Sequence, residues 1–493
     1  MHLHTSRMSD SNSLPINPYA EIWAGDLFSR QKDATMLAAY IESIAGRPNL
    51  REDHKGFTIS VDAEYGTGKS YFLKRLSRHL SVKHPVAFVD AWADDLADDP
   101  LTAIAATLSK ALGPLTAKDQ MVANSMEIVT GKVGTIAKIV GKGIVKKAVA
   151  LALTESVSNE LFDVVSPDDA EKFEDTLKDA GNIIGDGLVD GITQKSSTKL
   201  MTEKIANFKA GQGAVVELKI SLEDLVRSID KTNLTAPIVV IIDELDRCRP
   251  PYAIKLLEEL KHLFDVSGIV FVLGLNSSQL SKAIKAAYGP EFDGVSYLRR
   301  FIDRQYTLGM PDLKPLVAHV TRELSLDSSR LECLQTKERG KVERHDDPSR
   351  MIARYMEMYG VNARSTFSVG DILQTCLAVT APNELFMPVL MPHVIAKSLH
   401  LNPRQLTVGP VPNWNYILYS EDYDNKYDEM SPESYFTQAT KIVGSSQNEM
   451  MHLINSGNRV ARSLSNYIFN KSAHDLSHPA NYANLMEAVA RFS

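Results

Sequence analysis

The segment AEYGTGKS at residues 63–70 has the residue types and spacing that bind a polyphosphate. Glycines at positions 66 and 68 leave successive backbone N–H groups free to face a phosphate where a helix begins. Lys69 would reach the β and γ phosphates, and the Ser70 hydroxyl would ligate Mg²⁺. A glycine turn that happens to end in Lys-Ser is the alternative. The residues predicted to contact the nucleotide are Gly66, Thr67, Gly68, Lys69, Ser70 and Tyr71.

A second candidate site follows the apolar run VVII at residues 239–242, which ends in Asp243 and Glu244. A buried strand that ends in carboxylates places them at the carboxyl edge of a parallel sheet. Asp243 is predicted to hold Mg²⁺ together with Ser70, and Glu244 is predicted to polarise an attacking water. The alternative is an acid pair that only caps the strand.

Asn276 follows the next apolar run, GIVFVLGL at residues 268–275. From the end of that strand, its side chain could orient the attacking water or touch the γ phosphate. A plain turn residue is the alternative for this position.

The elements that must position these residues alternate between strand and helix. Residues 57–61 and 86–89 have strand patterns, and residues 71–80 and 101–112 have helical apolar spacing. The continuous apolar runs are typical of parallel strands covered on both faces. The predicted fold class is α/β: a phosphate-loop NTPase parallel sheet flanked by helices, with a helical insertion and a mostly helical C-terminal region. One helix is predicted ahead of the first strand, over residues 19–44.

Five regions are predicted along the chain. Between the two candidate sites lies a long segment that is rich in Ala, Gly, Val and Lys and lacks strand patterns. Within the C-terminal region, the highly charged residues 337–350 are interpreted as a solvent loop or linker. The predicted regions are a flexible arm (1–18), a first core part (19–120), a helical insertion (121–210), a second core part (211–311) and a mostly helical lid and partner-binding region (312–493).

The inserted segment contains a basic amphipathic stretch at residues 131–154, with Lys138, Lys142 and Lys146 at four-residue spacing. This stretch could contact a membrane surface or nucleic acid. The alternative is a solvated lysine face over a packed apolar stripe. No segment reaches the ~20 apolar residues that a spanning helix needs, so a membrane span is not expected.

Composition limits the class of protein. The chain has 493 residues, 44% hydrophobic and 23% charged, which are globular values and exclude collagen-like and charge-tail classes. Its formal charge of −7 argues against a whole-surface nucleic-acid coat. Three widely spaced cysteines suggest neither a disulfide framework nor a cysteine metal site, and a reducing cytoplasm is the expected location.

The motifs together resemble the KAP family of phosphate-loop NTPases. The resemblance rests on five motifs in register: GDLFSR at 25–30, the phosphate loop, DAW at 90–92, IVVIIDELDRCRP at 238–250 and YLRRFIDRQYTLGMP at 297–311. It implies ATP rather than GTP as the nucleotide, and Asp246-Arg247 as a signature near the active site. It also implies a sensor or finger arginine, for which the candidates are Arg247, Arg299, Arg300 and Arg304, with Arg300 taken as the candidate catalytic residue.

The resemblance carries expectations about partners. Members of the family usually have transmembrane segments between the two nucleotide motifs, but residues 121–210 are too polar to span. Soluble bacterial proteins that resemble this family often act in multi-gene anti-phage defence, the Qat systems being one example. The expected function is an Mg²⁺-dependent ATPase that acts as the energy or switch component of a larger complex. Its expected protein partners are further copies of the chain, other components of a defence system, or both. The alternative is a nucleotide-gated scaffold or signalling module with little intrinsic turnover.

Overall fold

The computed structural model describes residues 17–45, 56–95, 100–141, 213–229, 232–263, 265–338, 340–343, 348–409, 414–419, 427–469, 471–472 and 474–492. The chain divides into two compact units. The first unit takes its described residues from 1–24, 31–63 and 69–308. The second takes them from 25–30, 64–68 and 309–493.

The first unit contains ten described helices and five strands. Its helices are α1 (Pro18–Ile22), α2 (Gln31–Ala45), α3 (Lys69–Leu80), α4 (Ala91–Asp94), α5 (Pro100–Thr116), α6 (Gln120–Gly141), α7 (213–229), α8 (Pro250–Leu263), α9 (Ser277–Tyr288) and α10 (Gly294–Leu298). Its strands are β1 (Phe57–Asp62), β2 (Val86–Asp90), β3 (Ile238–Asp243), β4 (Ile269–Leu275) and β5 (Arg304–Thr307).

The five strands form one parallel sheet in the order β2-β3-β4-β1-β5. All six residues of β3 are buried, as expected for a strand covered on both faces. Asp90 at the end of β2 pairs with Asp243 at the end of β3. The carboxyl ends of these strands therefore lie at one edge of the sheet, which confirms the predicted α/β fold class.

Alternate residues of each strand face opposite sides of the sheet. Val239 and Ile241 pack with Leu73 and Leu76 of α3 in one core cluster. Val240 and Ile242 belong to a second cluster, to which α5 through α9 contribute. Helices on both faces explain why the strand sequences are continuously apolar.

The segment ahead of β1 differs from the single predicted helix. The structure has two helices, α1 and α2, because the chain turns between them. Gly25 and Ser29 have φ angles of 65° and 53°, in the left-handed region that interrupts a right-handed helix.

Only the flanks of the predicted helical insertion are described. Residues 142–212 lie outside the described residues, and with them Lys142, Lys146 and most of the basic stretch. On the described flanks, α6 and α7 bury apolar side chains in the same core cluster, and Lys132 of α6 pairs with Glu217 of α7. Within the part of the chain that the structure describes, no helix is long and apolar enough to cross a membrane.

The second unit contains eight described helices and six short strands. Its helices are α11 (Lys314–Glu323), α12 (Pro348–Met358), α13 (Ser365–Val379), α14 (Met387–Ser398), α15 (Pro432–Ile442), α16 (Gln447–Asn455), α17 (Arg459–Phe469) and α18 (Tyr482–Val489). Its strands are β6 (Leu331–Glu332), β7 (Thr336–Glu338), β8 (Lys341–Glu343), β9 (Leu385–Phe386), β10 (Trp414–Tyr419) and β11 (Tyr427–Met430).

A four-stranded antiparallel sheet, β11-β10-β7-β8, accompanies the helices of the second unit. Of the charged segment 337–350, interpreted as a solvent loop, the described residues 337–338 and 341–343 belong to the hairpin β7–β8, and residues 348–350 begin α12. The hairpin forms because β7 pairs with β10, whose Trp414 and Tyr416 are buried in the core of this unit. Leu27 and Phe28 also pack against this core.

Candidate functional site

The phosphate-binding segment is a loop that runs from the end of β1 at Asp62 to the start of α3 at Lys69. Gly66 and Gly68 have φ angles of 83° and 86°, where side chains other than glycine are strained. The Thr67 hydroxyl donates to the Glu64 carbonyl at 2.9 Å, which closes the loop on itself. Strand, glycine loop and helix follow one another as the sequence predicts.

Residues 64–68 of this loop belong to the second unit, and other residues of that unit contact them. The Ala363 N–H donates to the Gly66 carbonyl at 3.1 Å. A Cβ built on Gly66 would lie 2.5 Å from Cγ of Asn362, so the glycine also allows close packing. The buried Arg30 donates from Nη2 to the carbonyls of Thr67 at 3.1 Å and Gly309 at 2.6 Å.

Lys69 and Ser70 begin α3, and both side chains contact the segment that follows β3. Lys69 Nζ lies 3.2 Å from Oδ1 of Asp246. The Ser70 hydroxyl lies 3.4 Å from Oε1 of Glu244 and also hydrogen-bonds the Asp243 side chain. These contacts join sequence positions more than 170 residues apart into one cluster of titratable groups.

Asp243 is the last residue of β3 and is 2% exposed. Its Oδ1 accepts from the Glu244 N–H at 2.9 Å. Burial raises the pKa of Asp243, while hydrogen bonds from Ser70 and the Glu244 N–H and the charge of Lys69 oppose that rise. Glu244 then takes a left-handed conformation, φ 61°, which turns the chain into the 3₁₀ helix Leu245–Arg247.

Arg247 stabilises the charged form of Glu244. Its Nη1 lies 2.9 Å from Glu244 Oε1, and the Glu244 side chain is 15% exposed. Burial raises the pKa of Glu244, and Arg247 opposes this rise. The guanidinium also lies 5.8 Å from the ring centroid of Trp92, which is exposed. The resemblance to the KAP family implies that Arg247 lies near the active site, and the structure shows its ion pair with Glu244.

The oxygen donors at this edge of the sheet fit Mg²⁺. Mg²⁺ prefers hard oxygen ligands and is typically bound by one or two protein groups plus nucleotide phosphates. Ser70 and Asp243 supply a hydroxyl and a carboxylate, and the hydroxyl lowers the pKa of that carboxyl. Gly274 of β4 leaves room for the Asp243 carboxylate, because a Cβ there would lie 2.8 Å from its Oδ1. The residues present therefore suit the ion that the sequence predicts.

Tyr71 and Asn276 each contact another residue of the protein. Tyr71 is half-buried in the first turn of α3, and the guanidinium of Arg75 lies 4.6 Å from the centroid of its ring. Asn276 lies at the carboxyl end of β4 and caps α9 by accepting from the Gln279 N–H at 3.1 Å. A nucleotide contact of either residue stays a prediction.

The structure does not bring Arg300 to this cluster. Arg300 lines a small cavity with Thr58 and Asp303, and Asp303 accepts from the Thr58 N–H at 2.9 Å. Thr58 is near the amino end of β1, whereas the phosphate-binding loop leaves the carboxyl end at Asp62. Within one chain, Arg300 therefore lies by the opposite edge of the sheet. To act as an arginine finger, Arg300 would have to reach the nucleotide site of another copy of the chain.

Two positions of the site were missed as functional candidates by reasoning from sequence. Arg30 was noted only within an N-terminal motif, and Asn362 was not singled out. Both act on the loop from more than 35 residues away along the chain, so no local pattern marks them.

The sheet order, the glycine loop at the start of α3 and the carboxylates that end β3 define a phosphate-loop nucleotide-binding domain. The sequence profile of the KAP family P-loop domain matches residues 32–455. The chain belongs to the KAP family of P-loop NTPases. No curated protein matches it.

Proposed function

We propose that this chain binds ATP together with Mg²⁺ and hydrolyses it to ADP and phosphate. The observation that carries the proposal is the position of Glu244, whose carboxylate lies 3.4 Å from the Ser70 hydroxyl at the start of the helix that follows the phosphate-binding loop. A carboxylate at this place can accept a proton from a water that attacks the γ phosphorus. The bond from that phosphorus to the bridging oxygen of ADP then breaks.

The remaining groups have distinct tasks in this proposal. Backbone N–H groups of residues 66–68 bind phosphate oxygens, and Lys69 neutralises charge on the β and γ phosphates. Mg²⁺, held by Ser70 and Asp243, would supply positive charge at the same oxygens. Burial of Asp243 keeps its carboxylate in a fixed position at the strand end.

A binding comparison and a turnover comparison test the proposal together. Wild-type protein should bind ATP in the presence of Mg²⁺ and release phosphate, and Lys69→Ala should do neither. If the wild type binds ATP tightly yet hydrolyses it no faster than Lys69→Ala, the nucleotide-gated scaffold becomes the better account. If the wild type does not bind ATP, both accounts fail.

The biological setting of the proposal is an assembly in the bacterial cytoplasm, where ATP turnover switches the conformation of a larger complex. Its support is the family membership of the chain and the three free thiols, Cys248, Cys333 and Cys376. The anti-phage role is tested by plating phage on cells that carry the complete gene neighbourhood with wild-type or Glu244→Gln protein. Equal plaque counts for the two would reject that role.

A further inference from the structure

Asp246 is a buried carboxylate that faces the lysine of the phosphate-binding loop. Its side chain is 1% exposed, and Oδ1 lies 3.2 Å from Nζ of Lys69, which is 10% exposed. The second oxygen, Oδ2, is buried and has no hydrogen-bond partner among the described residues. A buried carboxylate with one ion pair and one unsatisfied oxygen depends strongly on that pair, because removing its partner leaves an uncompensated charge.

The surroundings of Asp246 are rich in negative charge. Burial, together with the carboxylates of Asp95, Asp246, Asp90 and Glu244, raises the pKa of the Cys248 thiol to about 12. The carboxylates of Glu244 and Asp246, which contact Ser70 and Lys69, disfavour a further anion at that place. The Asp246 carboxylate and the phosphates of the nucleotide are therefore both stabilised by the positive charge of Lys69.

We propose that Asp246 is a positioning residue that holds the Lys69 ammonium in the nucleotide-free protein and competes with nucleotide phosphates for it. This inference rests on the proposed function of the site. When Lys69 moves to the phosphates, Asp246 loses its ion pair and remains buried close to a polyanion. Asp246 thus lowers the affinity for nucleotide and permits its release after turnover.

Removing the negative charge of Asp246 tests the competition between this residue and the nucleotide phosphates for Lys69. In Asp246→Asn the carboxamide keeps the shape of the side chain but gives up the ion pair. MgADP, measured by titration calorimetry, should bind about tenfold tighter than to the wild type, within the range of typical coupling between two binding equilibria. The KM for ATP should fall, whereas loss of a merely structural residue would weaken binding.

Asp95→Asn is the matched control. Asp95 is also a buried acid of this region, but it pairs with Arg249 through Oδ1 at 3.1 Å and does not touch Lys69. Its substitution should leave the affinity for MgADP within about twofold of the wild type, as expected for a site without energetic coupling to the ligand.

Stability of the nucleotide-free protein gives a second, independent measurement. Asp246→Asn should destabilise the wild type, because Lys69 is then left without its counter-ion. The same substitution should stabilise Lys69→Met, because it removes a carboxylate that is buried and unpaired in that background. Urea unfolding of the four proteins without nucleotide measures this change of sign.

Each outcome supports or overturns the inference. Tighter MgADP binding in Asp246→Asn with the opposite effects on stability supports it. Unchanged or weaker binding, in a variant that unfolds cooperatively, overturns it while leaving the proposed function intact. Failure of the wild type to bind nucleotide rejects the proposed function itself, and the stability measurement still tests the Lys69–Asp246 pair.

Discussion

Arg247 forms an ion pair with Glu244, three residues earlier in the chain, across 2.9 Å. The two residues lie on either side of the turn by which the chain leaves β3. The pair holds the carboxylate to which we assign the role of general base, and it lowers the proton affinity that burial raises.

Removing Arg247 should move the acidic limb of the kcat profile to higher pH. Glu244 must be ionised to accept a proton, and burial already raises its pKa while Arg247 lowers it. In Arg247→Ala the opposing charge is lost, so the limb should shift to higher pH. Arg247→Lys keeps the charge and should stay close to the wild type. An unshifted limb in Arg247→Ala would show that the pair does not act on Glu244 during turnover.

Gly66→Ala should lower both stability and nucleotide affinity. The left-handed backbone costs about 1–2 kcal/mol for a residue with Cβ, and the Cβ would lie 2.5 Å from Asn362. Gly457→Ala is the matched control, since its φ of 84° is similar but no atom lies within 4 Å of the Cβ position. Thermal unfolding should show the larger loss for Gly66→Ala. Equal losses would mean that Asn362 exerts no steric constraint on the loop.

Ser70→Ala should reduce the dependence of nucleotide binding on Mg²⁺. The hydroxyl is one of the oxygen donors at the ion site, and its loss should weaken MgATP binding by about tenfold or more. Ser81→Ala is the control, because Ser81 lies just beyond the other end of α3 and donates to the Arg78 carbonyl at 2.8 Å. The affinity for ATP measured with Mg²⁺ and the affinity measured with a chelator should differ less in Ser70→Ala than in the wild type or in Ser81→Ala. A Mg²⁺ effect as large as in the wild type would exclude Ser70 as a ligand.

His393 should make the protein less stable as the pH falls. Burial lowers the pKa of His393 to about 4, from an ordinary value of 6.5. Between these values the unfolded chain binds the proton more readily than the folded one, so the free energy of unfolding decreases with falling pH. The slope is at most one proton, or about 1.4 kcal/mol per pH unit. Urea unfolding from pH 7 to 4 should show a shallower slope for His393→Leu; identical slopes would contradict the assignment.

The sequence predicted the features that depend on local patterns. The apolar run at residues 239–242 predicted β3, which the structure places at Ile238–Asp243. The glycines at 66 and 68 predicted a loop between a strand and a helix, and the structure has this loop between β1 and α3. These predictions succeed because continuous apolar strands and glycine loops are properties of a few neighbouring residues.

Features that depend on distant pairs could not be predicted in the same way. The pairing of Lys69 with Asp246 joins residues 177 positions apart. The hairpin β7–β8 has a charged, loop-like sequence and becomes a strand pair because β10 lies beside it. Arg300 lies just ahead of β5, and only the pairing of β5 with β1 shows that it lies by the amino end of β1.

Steady-state phosphate release from MgATP by wild type and Glu244→Gln tests whether Glu244 activates water for ATP hydrolysis. Glu21→Gln, an exposed position on α1, serves as the matched control. Glu244→Gln should keep ATP binding but lose about 100-fold or more in turnover, the size of a general-base contribution. Turnover in Glu244→Gln equal to that of wild type and control would show that Glu244 is not the general base.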